Sequence, residues 1–228
     1  METELGFFAA FYASPMQHPW LLWLAAALGL GLVLTRTGLD AGVRRYGIAL
    51  AILSFADAWL TSNHVYGIGT LSGRAASAVP LFFVLMGDFR YLLLVTSATP
   101  DGRFAPNGRQ LLGAAGLSLL VPVGTQLILA ALPESLTGPR VMFAIYEVAF
   151  FALSAVLLRV HPNLRANPWI RSVSRFVMLY YGLWATADVI LLGTGSDLGF
   201  LLRVIPNLLY YGGLVAAIAL FAPPRAEA

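Results

Sequence analysis

The sequence predicts an all-α integral membrane protein, a seven-transmembrane-helix bundle that forms one domain over residues 1–228. Hydrophobic residues make up 59% of the chain and charged residues only 11%, and the mean hydropathy of +0.78 is far above that of soluble domains. Apolar runs that could cross about 30 Å of hydrocarbon as helices occur seven times. They lie at residues 19–35, 46–66, 77–98, 111–132, 140–160, 173–193 and 200–222.

The arginines predict the orientation of this bundle, because short loops rich in arginine stay on the cytoplasmic side. The loops on one side of the predicted bundle carry Arg36, Arg44, Arg45, Arg103, Arg109, Arg159, Arg165, Arg171 and Arg175. The N-terminus is therefore expected outside and the C-terminus inside, in a bacterial inner (cytoplasmic) membrane. No basic residue precedes Arg36, so the first helix is expected to be retained and not cleaved as a signal peptide.

Each run carries a local feature that supports its assignment. The first and fifth follow Pro19 and Pro139, and the glycines of the first, Gly29 among them, favour close helix packing. The second and sixth hold an Ala-Asp pair at Asp57 and Asp188. The third opens with "VPLFFVLMG" and the seventh continues with "IPNLLYYGG". These echoes predict a 3+1+3 parallel repeat with the fourth run as linker, an arrangement that places a shared site near the membrane midplane.

Residue types that are missing exclude several functions. All 14 basic residues are arginines, so no lysine can carry a Schiff base and covalently bound retinal is excluded. There is no cysteine, and no two of the three histidines share a predicted helix, so no metal site is expected. No cofactor motif is found. The net charge of +3 is explained by the loop arginines, and no nucleic-acid partner is expected.

Polar residues inside the runs define the candidate site. A charged group in hydrocarbon costs roughly 2.5–3.5 kcal/mol even on the lenient insertion scale, so it faces the bundle interior or a water-filled cavity. Three runs place such residues at helical spacings: Asp57, Thr61 and His64 in the second, Tyr181, Trp184 and Asp188 in the sixth, and Arg203, Asn207 and Tyr210 in the seventh. Tyr146 and Glu147 lie at similar depth, whereas Asp88, Arg90 and Tyr91 lie at or below the middle.

Two interpretations of these charges are open. In the first, Asp57 and Asp188 face one cavity in the outer half of the bundle and exchange protons there. In the second, Asp57 pairs with Arg90 and Asp188 with Arg203 as plain ties between helices. In either case the four acids outnumber the two arginines, because Asp88 and Glu147 are left over after both pairings.

The order of the helices and the two intramembrane aspartates resemble the YhhN family of membrane lysoplasmalogenases. That family carries a two-residue motif ending in aspartate at the positions where this chain has Ala56-Asp57 and Ala187-Asp188. Its His-x-x-Tyr motif corresponds to Asp88-Phe-Arg-Tyr91 in this chain, where the tyrosine is present and the histidine is not. A family glutamine four residues after Tyr210 is replaced by a leucine. The resemblance implies a hydrolase of vinyl-ether lipids.

Two function classes follow. In the first, Asp57 and Asp188 are catalytic carboxyls of a lipid ether or ester hydrolase that draws its substrate from the lipid bilayer. In the second, the protein is a proton-coupled carrier of a small solute, or a membrane sensor or assembly partner without turnover. A lateral gap for an acyl chain would favour the enzyme, and alternating aqueous openings would favour the carrier.

Overall fold

The computed structural model describes residues 6–62 and 74–224, with side chains described from residue 79 in the second range. The regular structure of these residues is helical. The helices are α1 (Phe7–Tyr12), α2 (Met16–Thr35), α3 (Ala41–Leu60), α4 (Arg74–Ser97), α5 (Gly108–Ala131), α6 (Pro139–Val160), α7 (Pro162–Ala166), α8 (Pro168–Thr194) and α9 (Leu198–Phe221).

Within the described part of the chain, six helices are long and apolar enough to cross a membrane. They are α2, the Val79–Ser97 part of α4, α5, α6, α8 and α9. The predicted second span corresponds to α3, whose 20 residues include Arg44, Arg45 and Asp57. These charges lower the hydropathy of α3, which is not among the six candidate spans. A seventh span at α3 therefore stays a prediction. The multi-pass helical architecture itself agrees with the sequence prediction.

Capping residues explain why several helices begin before the apolar run that predicted them. Asp40 accepts hydrogen bonds from Gly42 N at 2.9 Å and Val43 N at 3.4 Å, so α3 begins at Ala41 and not at residue 46. Asn107 and Gln110 form a reciprocal capping box that starts α5 at Gly108. A search for apolar runs skips such polar first turns. The observed helices therefore begin earlier than the runs that predicted them.

Consecutive long helices run in opposite directions, and α9 packs against α2, α3 and α8. At one end of the bundle, Arg36 Nη1 donates to Leu220 O at 2.8 Å and Trp169 Nε1 donates to Thr99 O at 2.9 Å. At the opposite end, Ser62 Oγ donates to His18 O at 3.1 Å. The loop arginines therefore collect at the first end, which we call the arginine end. Membrane sidedness and the 3+1+3 repeat stay predictions.

Close helix contact at the centre depends on glycine. A Cβ atom on Gly212 of α9 would lie 2.0 Å from Ala25 O of α2, and one on Gly29 of α2 would lie 2.6 Å from Gly212 O. Both contacts are with backbone atoms that cannot move aside independently. The α2–α9 crossing, which forms one wall of the site, therefore requires small residues.

Candidate functional site

A cavity of about 460 Å³ lies in the half of the bundle away from the arginine end. The wall that α8 and α9 contribute carries a polar atom on every side chain: Tyr181, Trp184, Arg203, Asn207, Tyr210 and Tyr211. Among the described residues, the side chains that α4 contributes to the lining are apolar: Pro80, Leu81, Phe83 and Val84. The cavity is thus amphipathic, with a polar and an apolar side.

Asp57 lines this cavity although its side chain is almost fully buried, with 5% exposed. Thr61 Oγ1, at the C-terminal cap of α3, donates to Asp57 O at 2.7 Å and also lies 3.3 Å from Asp57 Oδ1 and 3.2 Å from His18 Nε2. The Tyr211 side chain also interacts with the Asp57 carboxyl. Asp57 is therefore oriented by hydroxyl groups of α3 and α9.

Arg90 lies behind the cavity wall and is held mainly by α9. Its Nη2 donates to Tyr210 O at 2.9 Å, its Nη1 donates to Ser54 Oγ at 3.3 Å, and its guanidinium stacks 3.9 Å from the centre of the Tyr210 ring. Asp57 and Arg90 interact through space, but no ion pair within 4 Å joins them in the described part of the chain. The predicted direct tie between these two residues is therefore not observed.

A second cluster of charges links α6, α8 and α9. Arg203 Nη1 donates a very short hydrogen bond to Asp188 Oδ1 and a 3.3 Å bond to Glu147 Oε1. Arg140 Nη1 donates to the same Asp188 oxygen at 3.1 Å. Asp188 is fully buried and does not line the cavity, whereas Glu147 and Arg203 do. The predicted Asp188–Arg203 tie is present, and Asp188 lies behind Arg203 as seen from the cavity.

The hydrogen bonding of one Glu147 oxygen is incomplete among the described residues. Glu147 Oε2 is buried, and no donor among the described residues reaches it. An unmade hydrogen bond at a buried carboxylate costs free energy, so a bound water or ligand donor would stabilise it. Glu147 is therefore the second carboxylate, beside Asp57, that can act on cavity contents.

Asp88 is buried between two tyrosines. Tyr181 Oη donates to Asp88 Oδ1 at 2.6 Å, and Tyr146 Oη donates a very short hydrogen bond to Asp88 Oδ2. Asp88 makes no ion pair within the described residues. Both tyrosines line the cavity and Asp88 does not, so Asp88 acts on the cavity only through them.

The remaining predicted residues divide between cavity and core. Trp184 Nε1 donates to Asn207 Oδ1 at 2.8 Å, and both side chains line the cavity. Tyr91 is fully buried and packs edge-on against Phe150, with 6.0 Å between the ring centres, so it belongs to the core. His64 lies outside the described residues.

The sequence prediction did not place several residues of the site. Tyr12 of α1 reaches the cavity, where its hydroxyl accepts from Arg203 Nε at 3.3 Å. Nothing in the local sequence indicates this, because α1 precedes the first apolar run. Arg140 could have been found, since it lies seven residues before Glu147 and hence on the same face of α6.

The described residues contain no group of three or more His, Cys, Asp or Glu side chains that could hold a metal ion. Comparisons with known proteins gave no significant match to a family model, a curated protein or a solved structure. The functional argument therefore depends on the cavity and its chemistry.

Proposed function

We propose that this protein hydrolyses an ether or ester bond of a lipid-like substrate within the cavity. The observation that carries the proposal is the amphipathic cavity among apolar helices, whose lining includes the carboxylates Asp57 and Glu147 as well as the apolar side chains of α4. A lipid has the matching division between polar and apolar parts. A small polar solute would leave the α4 wall without a complementary surface.

The cavity holds the groups that acid–base hydrolysis needs. Ester hydrolysis adds the hydroxyl of one water to the acyl carbon and a proton to the leaving oxygen. Vinyl-ether hydrolysis adds a proton to the β-carbon of the double bond and the hydroxyl of one water to the α-carbon, and the resulting hemiacetal separates into an aldehyde and an alcohol. Asp57 and Glu147 are the carboxylates that line the cavity, so one can donate the proton while the other accepts a proton from water. Asp188 is then a positioning residue, because it contacts Arg203 from behind the wall.

The resemblance to the YhhN family makes lysoplasmalogen the first substrate to test. We therefore propose an assay of purified protein with a vinyl-ether lysolipid, an ester lysolipid and a two-chain phospholipid. Mass spectrometry would follow release of aldehyde or fatty acid. The wild type is expected to hydrolyse at least one single-chain lipid.

Asp57→Asn keeps the size of the side chain and removes its titratable proton, so hydrolysis is expected to fall about 100-fold or more. Asp101→Asn is the matched control, because Asp101 is a loop residue whose side chain is 55% exposed. A fully active Asp57→Asn variant would contradict the proposed role. Proton-coupled solute uptake into vesicles without lipid hydrolysis would favour the carrier.

A further inference from the structure

A groove on the outer face of the bundle lies beside the cavity. Its lining comes from α4 and α5 and consists of Leu81, Leu85, Leu119, Pro122, Val123, Gln126 and Leu127. Leu81, Pro122 and Gln126 line the central cavity as well. We call this feature the α4–α5 groove. Because the groove and the cavity share these residues, they are separated by a single layer of side chains.

A break in α5 explains why the groove exists. The helix is interrupted at Leu119, between the helical stretches Gly108–Ser118 and Leu120–Ala131. Pro122 has no N–H to donate to the Ser118 carbonyl, and its ring displaces that carbonyl, which interrupts a helix at this position. The first stretch packs on α4, whereas the second packs on α6 and makes little contact with α4. The two helices therefore separate beyond the break.

The surroundings of the groove restrict what can occupy it. Leu81, Leu119, Val123 and Leu127 are between 50% and 69% exposed, and both α4 and α5 contain candidate membrane spans. An exposed apolar groove on such helices faces hydrocarbon, where the available occupants are lipid chains. Gln126 is the polar group of the groove and lies where it meets the cavity.

We propose that one hydrocarbon chain of an amphiphilic lipid lies in the α4–α5 groove while its polar end passes Leu81, Pro122 and Gln126 into the cavity. A chain gains little by leaving lipid for a protein groove, because both are apolar. Retention then depends on the polar end, which the cavity binds. A single-chain lipid fits this arrangement, since both chains of a two-chain lipid would have to lie in the same groove.

The groove spans about 12 Å along α5 between Leu119 and Leu127, at 1.5 Å per residue. It therefore holds the part of the chain nearest the polar end. The inference rests on the proposed function for the reaction at that polar end. Binding of the chain in the groove does not require that a bond be broken.

The test uses a lysophospholipid whose acyl chain carries a photoreactive diazirine, added to the full-length protein in phosphatidylcholine nanodiscs. After illumination, adducts are located by peptide mass spectrometry. We expect adducts on α4 near Leu85 and on α5 between Leu119 and Leu127, which excess unlabelled lysophospholipid abolishes and extra phosphatidylcholine does not. Labelling of α2 at Leu24, which is 56% exposed, is expected as background that excess lysophospholipid leaves unchanged.

Leu81→Trp places a bulky ring where groove and cavity meet, and competed labelling is expected to fall at least about fivefold. Leu24→Trp, on the outer face of α2, is the matched control and should label as the wild type does. Should Leu81→Trp not fold, Val123→Trp blocks the groove from outside and makes the same prediction. Val123 is 55% exposed, so a larger side chain there has room on its outer side.

Competed adducts confined to other helices would overturn the inference, and so would equal competition by two-chain lipid. A crosslinked dimer joined through α4 and α5 would show that a second copy of the chain occupies the groove and would also overturn it. If groove labelling is competed but no lipid is hydrolysed, the proposed function fails and this inference stands. If a lipid is hydrolysed without competed labelling in the groove, this inference alone fails.

Discussion

The two aspartates of the Ala-Asp pairs, Asp57 and Asp188, are expected to differ sharply in their contribution to stability. Asp188 is fully buried and accepts hydrogen bonds from Arg203 and Arg140. Removing one partner of a buried ion pair costs about 3–5 kcal/mol. The lower end applies to Asp188→Asn, because Glu147 still pairs with Arg203 at 3.3 Å and the Arg140 side chain is 32% exposed to solvent.

For Asp57→Asn the loss of stability is expected to be smaller. Asp57 contacts hydroxyl groups and has no arginine within ion-pair distance in the described structure. Its hydrogen bond with Thr61 is 3.3 Å long, and an asparagine oxygen can replace the acceptor. Net hydrogen-bond contributions are about 0.5–1.5 kcal/mol. The gap between the two variants is therefore about 2 kcal/mol, or roughly 4–8 °C in melting temperature for a chain of this size.

Thermal melts of purified protein in detergent, followed by tryptophan fluorescence, would measure this gap. Asp101→Asn serves as the control and should melt like the wild type, because an exposed pair such as Asp101–Arg103 contributes little. A double-mutant cycle with Asp188→Asn and Arg203→Gln should show a coupling of about 1 kcal/mol or more. If Asp57→Asn melts at or below Asp188→Asn, the different roles assigned to the two aspartates are wrong.

Two further predictions concern packing and orientation. Gly212→Ala would force its Cβ against Ala25 O and is expected to lower the free energy of unfolding by about 1–3 kcal/mol. Gly113→Ala is the control, since nothing lies within 4 Å of its added Cβ. Equal melting temperatures of the two variants would refute the close crossing. A reporter fused to the C-terminus should be active only on the cytoplasmic side, and activity on the outer side would refute the orientation inferred from the loop arginines.

The sequence by itself determined the class of protein and the helix face of several polar groups. Hydropathy depends on residue type summed over a window, and helical spacing assigns residues to a face, so both can be evaluated without tertiary contacts. The six candidate spans of the described chain overlap apolar runs of the sequence analysis. Asp57, Glu147, Arg203 and Asn207, expected to face the interior, do line the cavity.

Tertiary structure decided which of these groups meet. The Asp57–Arg90 and Asp188–Arg203 ties were equally plausible from spacing, yet only the second is a direct contact in the described structure. Helix rotation and crossing angle set such pairings, and they depend on close contacts such as that of Gly212 with α2. Pro122 could be read from the sequence as a weak point of its helix, but the groove beside it exists because the second stretch of α5 packs on α6 and not on α4.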